Sequence, residues 1–254
     1  MKVVVVGGGG LIGSRLVRRL DAQGHQALPA SRTTGVDAVT GAGLAAAMKD
    51  AQVVIDVTNP PSFEIAAATK FFETSTRNLL AAEEVANARH HIVLSVVGAD
   101  RMRDVPYMRA KVAQEVRVRA GRIPYTILRA TQFFEFIGAI ADGGTEGAAA
   151  RLPPVLMQPI AADDVVAVLA DLAEGEPRNG VVDLAGPDRI RMDEVARRLL
   201  KARNDPRQVI GDASALYFGG KVDDRSLIPA DDHRVGSTRF EDWLEAGDEP
   251  GSGR

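Results

Sequence analysis

The segment Tyr107-Met-Arg-Ala-Lys111 sets a phenol and an ammonium four residues apart. Positions i and i+4 share one face of a helix, so both groups can point into the same cleft. A free phenol, with a pKa of about 10, exchanges protons poorly at neutral pH. A neighbouring ammonium favours the phenolate and lowers that value. A drop of about three units corresponds to roughly 4 kcal/mol of differential stabilisation, which needs a closed, partly dry site. The pair therefore points to proton transfer. The plainer reading of Tyr107 is a half-exposed aromatic that starts a helix after Pro106.

A second constellation lies at the amino end, in MKVVVVGGGGLIGSRLVRRL. Four consecutive glycines cost backbone entropy that the folded state must recover. Both flanks are strongly patterned, which excludes a loose linker. Gly7, Gly10 and Gly13 give GxxGxxG between an apolar strand and a helix. One glycine permits the tight turn, one lets the backbone approach a pyrophosphate, and the third lets helix and strand pack closely. The helix N-terminus adds free N–H groups and the positive end of its dipole. Gly7, Gly10, Leu11, Ile12 and Gly13 are thus the expected phosphate-binding set of a dinucleotide. The end of the next strand tells which dinucleotide: an acid would hold a free ribose 2′-hydroxyl, an arginine a 2′-phosphate. The chain offers Ser31-Arg32 and no carboxylate until Asp37, which favours NADP over NAD.

These groups must be positioned by alternating elements. Val3 to Val6 reads as a strand and Leu11 to Gln23 as a helix that Gly24 ends. HQALPAS is a second strand, shortened or bulged at Pro29. AQVVIDVT, HHIVLSVVG and PYTILRA are strands; the stretches from FEIAAATK to EEVANA and from YMRAK to VRVRAG are helices. Such alternation implies parallel strands, hence a Rossmann-type α/β doubly wound sheet. Residues 1–150 read as the dinucleotide-binding core. From Arg151 the texture changes, and residues 151–245 read as a small C-terminal α/β lobe on the same sheet for substrate. The polar, glycine-rich residues 246–254 read as a fraying tail. The helix from Phe71 to Ala88 serves either a dimer interface or sheet packing, so a monomer and a homodimer are both open.

The chain has 254 residues, 45% hydrophobic and 26% charged, enough for a sizeable core. A net charge of −3 argues against a nucleic-acid binder. Cysteine is absent, which removes disulfides and thiolate chemistry. The Val3–Val6 run is too short for a signal peptide, and no segment reaches the length of a membrane span. Cytoplasm is the expected compartment. Asp163-Asp164 suits a helix N-terminus better than a metal. His90-His91 has no partner at ligand spacing and reads as a loop edge, so no metal site is expected. Neither GxSxG nor HExxH occurs, so hydrolase chemistry has no support.

VVGGGGLIG, Tyr107-Met-Arg-Ala-Lys111 with Glu115 one turn later, and PYTILRATQFFEF together resemble the short-chain dehydrogenase/reductase superfamily. The likeness is strongest to its atypical, NmrA-like branch of NAD(P)-binding proteins. It runs from residue 1 to about residue 205 and includes PIAADDVV and LAGPDRIRMDEVA. The resemblance implies a catalytic set of Ser95, Tyr107 and Lys111, with Ser95 orienting the substrate carbonyl. It also implies that Lys111 hydrogen-bonds the nicotinamide ribose and that Val57, Thr58 and Asn59 line the cofactor cleft. Thr131, Phe133, Phe134 and Phe136 can wall a substrate pocket, with core packing an equal alternative for two of the three phenylalanines. The link GADRMRDVP is short and charged, and can set the tyrosine back from the nicotinamide. The expected activity is NADPH-dependent reduction of a small carbonyl, quinone or enone. Non-catalytic NADP-binding redox sensing is the alternative; an isomerase or epimerase with a retained nicotinamide is third.

Overall fold

The computed structural model describes residues 1–230 and 232–247. In chain order the elements are β1 (Lys2–Val6), α1 (Leu11–Ala22), β2 (Gln26–Ala30), α2 (Leu44–Met48), β3 (Val53–Asp56), α3 (Ile65–Ala86), β4 (His90–Val96), α4 (Pro106–Ala120) and β5 (Tyr125–Ala130). They continue with α5 (Ile137–Gly143), β6 (Thr145–Glu146), β7 (Ala149–Leu152), β8 (Leu156–Met157), α6 (Ala162–Glu174) and β9 (Gly180–Ala185). The last are β10 (Ile190–Arg191), α7 (Met192–Ala202), β11 (Gln208–Gly211), β12 (Arg234–Val235) and α8 (Phe240–Glu245).

Seven parallel strands form one sheet in the order β12-β9-β5-β4-β3-β1-β2. Alternate side chains of a strand face opposite layers. Val3 and Val5 accordingly pack with Ile12, Leu16, Leu20, Val165 and Leu169 of α1 and α6. Val4 and Val6 pack with Leu44, Met48 and Leu79 of α2 and α3. Burial on both faces explains why β1 is an unbroken valine run rather than an alternating one. Pro29 does not end β2 early: it pairs with Val5 on the edge strand, where a missing N–H leaves no central ladder bond unmade.

From β1 the chain adds β2 on one side, then crosses to add β3, β4 and β5 on the other. The reversal between β1 and β3 opens the crevice in which such sheets take ligands. Sheet membership cuts across residue 150, because α6 packs on α1 while β9 and β12 extend the main sheet. The rest of the lobe, with two small sheets (β11-β7-β6 and β10-β8), α5, α7 and α8, shares a separate apolar cluster around Phe134, Ile140, Met192, Leu199 and Phe240. That cluster also reaches Met102, Val105 and Met108, so the lobe leans on the segment that starts α4. Most of the expected tail, residues 248–254, lies outside the described residues.

Candidate functional site

The glycine turn joins β1 to α1 at the carboxyl edge of the sheet. Gly7 has φ of 86°, and a Cβ there would lie 2.9 Å from the Val57 carbonyl oxygen. A Cβ on Gly13 would lie 2.2 Å from the Gly7 carbonyl oxygen, so the helix seats on the turn only without a side chain. Gly8, which the GxxGxxG spacing passes over, is just as constrained: its Cβ would lie 2.7 Å from the Pro29 Cα. Gly10 differs from these three. It is exposed, it N-caps α1 without a side-chain cap, and a Cβ would meet only the Gly7 oxygen at 3.4 Å. Nothing within the chain demands a glycine there, and the space it leaves open is what a ligand approaching the backbone requires. Gly10 N–H donates to Gly7 O and Ser14 N–H to Gly10 O. The N–H groups of Leu11, Ile12 and Gly13 meet no acceptor among the described residues. No acid occupies the first turn of α1. The residues fit a diphosphate.

Two more strand ends border this turn. After β2, Ser31 caps the short turn Arg32–Thr34: its N–H donates to Thr34 Oγ1, and Thr34 N–H donates to the Ser31 carbonyl. The Ser31 and Thr33 hydroxyls, 2.8 Å apart, lie against Gly9. The Arg32 side chain is exposed and forms no ion pair or hydrogen bond among the described residues. Asp37, the first carboxylate beyond β2, is taken up by the N–H groups of Val39 and Thr40. After β3, Thr58 donates through its N–H and its hydroxyl to Asp56 Oδ1. Asn59 then accepts the Tyr107 hydroxyl at 3.0 Å.

Pro106 opens α4 at a position where its missing N–H costs nothing, and Tyr107 follows in the first turn. The phenol ring is partly buried between Phe63 and Phe72, both edge-on, at 5.5 and 6.2 Å. Burial and the Asp56 carboxylate push its pKa well above the ordinary phenol value. The expectation of a lowered phenol is not met in this arrangement, because Lys111 turns elsewhere. Its Nζ donates to Leu94 O at 2.6 Å and to Gln114 Oε1, and lies 4.5 Å over the Phe72 ring. Burial lowers the Lys111 ammonium to about 8, against the opposing pull of Asp56 and Glu115. Gln114 in turn donates to Asp56 Oδ2 at 2.9 Å, closing a buried chain from Lys111 to the end of β3.

Ser95 stands near the end of β4, 3% exposed, and its hydroxyl donates to Glu115 Oε1 at 2.7 Å. Glu115 is fully buried and also accepts from Arg129 Nε at 2.8 Å and Nη2 at 2.7 Å. Arg119 adds a bond at 3.1 Å. Burial alone would raise this carboxyl; the hydrogen bonds of Arg129 and Ser95, with the Arg129 charge, hold it below its usual value. Arg129 completes its fork on Asp100 Oδ2 at 3.0 Å, within the link that leads to Tyr107. Spacing arguments do not find Arg129 or Asp56. The available signal is an arginine inside the apolar strand YTILRA and an aspartate ending VVID, buried charges that each demand a partner.

The remaining candidates separate. Phe134 is 1% exposed and packs on Phe240 and Trp243, whereas Phe136 is 38% exposed and meets Phe218 at 5.9 Å. Thr131 is buried and donates to Gln158 O. His90 and His91 are not a loop edge: both are buried in β4, paired with Thr126 and Glu83. Asp163 and Asp164 occupy the first turn of α6, Asp163 binding Arg15 and Asp164 accepting from Thr238. Among the described residues no group of three or more potential ligands is placed to hold a metal. No helix among them is long and apolar enough to cross a membrane.

A glycine cradle at the switch point of a doubly wound sheet defines a dinucleotide-binding protein of Rossmann type. Residues 7–176 match the model of the NAD(P)H-binding family, and the chain belongs to that family. Solved structures share its fold. UDP-glucose 4-epimerase from Thermotoga maritima is 15% identical, with 96% of each chain covered and a TM-score of 0.71. A short-chain dehydrogenase/reductase superfamily protein from Agrobacterium tumefaciens with bound NAD is 17% identical, covering 97% of this chain and 95% of that one, TM-score 0.69. dTDP-4-dehydrorhamnose reductase from Bacillus anthracis, in complex with NADP, is 14% identical, covering 97% and 92%, TM-score 0.67. A comparison of the sequence with curated proteins finds no match.

Proposed function

We propose that the protein is an NADPH-dependent oxidoreductase of the NmrA-like kind that reduces a small carbonyl, quinone or enone, with Tyr107 as proton donor. The observation that carries this reading is a short path of contacts. The glycine turn touches Val57, and two residues on Asn59 accepts the Tyr107 hydroxyl, which burial keeps protonated. The coenzyme supplies the hydride when bound. Leu11, Ile12 and Gly13 would hold its diphosphate through their open N–H groups and the α1 dipole, and Gly7 and Gly10, without side chains, would let it approach the backbone. Ser31 and Arg32 would take the 2′-phosphate, and Val57, Thr58 and Asn59 would wall the cleft.

Tyr107 gives its proton to the substrate oxygen as charge builds there. Asn59 aims the phenol, and Lys111, one turn along, would have to exchange Leu94 O and Gln114 Oε1 to bring positive charge to the phenolate left behind and to bind the nicotinamide ribose. Ser95 already donates to Glu115, so polarising the substrate oxygen requires it to exchange that acceptor. The engagement of Ser95 and Lys111 in internal bonds favours a second reading, a redox sensor that binds NADP without turnover. Mixing the protein with NADPH and a panel of quinones and aldehydes decides between them: consumption of NADPH supports the enzyme, and tight binding without consumption supports the sensor.

The coenzyme preference has its own check. Charge-assisted hydrogen bonds contribute about 1.5–3 kcal/mol, or roughly 10–100-fold in affinity. Arg32→Ala should weaken NADPH binding by that factor and leave NADH within about threefold, as read by fluorescence titration. Equal losses for the two would refute the 2′-phosphate role.

A further inference from the structure

The C-terminal lobe brings a second phenol to the site. Tyr217 N–H donates to Gly220 O at 2.8 Å and Gly220 N–H to Tyr217 O at 3.0 Å, a tight two-residue turn. Between them Phe218 and Gly219 have φ of 44° and 84°. That backbone is natural for glycine and strained for a bulky aromatic. The turn is wedged in place: a Cβ on Gly220 would lie 2.6 Å from Val105 Cγ2 and 2.8 Å from Val105 N. Val105 is the residue that N-caps α4, two positions before Tyr107. Tyr217 is 3% exposed and belongs to the apolar cluster on which Tyr107 packs. Burial raises the pKa of its phenol; the Gln132 amide beside it offsets part of this, and the nearby Tyr107 phenol adds to it.

Gln132 follows the end of β5 and is 5% exposed. Its carbonyl accepts Ile160 N–H at 3.0 Å, which fixes the backbone. Neither Nε2 nor Oε1 makes a hydrogen bond of normal geometry among the described residues, although the amide approaches the Tyr217 phenol closely enough to lower its pKa. A buried amide with both ends unmade costs stability, and native chains keep few of them. Here it is kept beside the Tyr217 phenol, which in turn neighbours Tyr107, at the carboxyl edge of the sheet. An amide offers a donor and an acceptor side by side, so its complement is a group that does the same.

We propose that Gln132 and Tyr217 form a subsite for a neutral second polar group, a carboxamide or hydroxyl, carried next to the carbonyl that Tyr107 protonates. The proposal rests on the oxidoreductase reading. Both subsite groups are neutral and buried, which disfavours a charged substituent.

Acetoacetamide and 4-methyl-2-pentanone are matched in shape and differ in that group. With NADPH, wild type should show a kcat/KM roughly tenfold or more higher for acetoacetamide. Gln132→Met and Tyr217→Phe should bring the ratio to about one, through KM rather than kcat, with NADPH affinity unchanged. Equal kcat/KM for the two compounds in wild type overturns the proposal. Weakened NADPH binding in Gln132→Met also overturns it, by assigning the amide to the coenzyme. Gln132→Met should further raise Tm by about 2–4 °C, because two unmade polar atoms leave the interior; a fall would make the amide a structural group and sink the subsite. If wild type reduces neither compound, the oxidoreductase reading falls by itself. The subsite is then decided by thermal shift: stabilisation by 3-hydroxybutanamide but not by 4-methyl-2-pentanol, absent from Gln132→Met, supports it, and equal shifts refute it.

Discussion

Tyr107→Phe should lower kcat for NADPH-driven reduction by about 10²–10⁴-fold, the usual contribution of a positioned general acid. The ring stays in place, since its edge-on contacts with Phe63 and Phe72 need no hydroxyl. Binding of NADPH should change by less than about threefold, because the phenol lies outside the glycine turn and its loss removes an interaction made chiefly in the transition state. The pH profile carries a second signature. The wild-type phenol stays protonated across the neutral range, so its own ionisation does not limit the rate there. The Lys111 ammonium, lowered by burial to about 8, is lost as pH rises through that value. Rate should therefore fall on the alkaline side near pH 8, and Lys111→Met should abolish that limb. Stopped-flow absorbance of NADPH over a range of pH measures both. An unchanged kcat in Tyr107→Phe would end its assignment as donor.

The sequence makes much of the fold legible because the determining forces are local. The four valines of β1, continuous and bounded by glycine, have one economical placement, a strand buried on both faces. The glycine spacing is legible for the same reason: Gly7 turns the chain at a φ of 86°, and Gly13 meets the Gly7 carbonyl within the same turn. Gly8 is illegible, because its constraint is Pro29 on the neighbouring edge strand, a contact made only by tertiary assembly. The spacing of Tyr107 and Lys111 places them on one helix face but leaves the reach of the lysine undetermined. A buried ammonium goes where acceptors are, and Leu94 O and Gln114 Oε1 are nearer acceptors than a phenol already donating to Asn59. Tyr217 is hidden more deeply, since a strained turn more than a hundred residues downstream carries it to the site. Side chains set by long-range packing, rather than by period or cap, are the ones that a single sequence conceals.

The same concealed layer supplies the largest expected effect on stability. Arg129→Met leaves the Glu115 carboxylate buried with Ser95 and Arg119 but without its two-pronged partner. Removing one member of a buried pair costs about 3–5 kcal/mol. For a chain of this size that lowers Tm by roughly 10 °C. The sign with pH follows from the shifts. In wild type the folded carboxyl titrates below its unfolded value of about 4.3, so its contribution is complete above that pH and is lost as pH falls through the folded pKa. In Arg129→Met, burial dominates and the folded carboxyl titrates above about 4.3. The gap between variant and wild type should then be widest near neutral pH and should narrow as pH falls toward 4. Glu115→Gln in the Arg129→Met background should recover part of the loss, because a neutral amide removes the uncompensated charge. The substitution also frees Asp100 and with it the link to Tyr107. kcat should therefore drop even at temperatures where Arg129→Met remains folded, and the double variant should not restore it. Denaturant melts of the three variants at pH 4 and pH 7 measure the stability claims. A pH-independent gap, or an Arg129→Met protein as stable as wild type, would show that this buried pair does not hold α4 against β4 and β5.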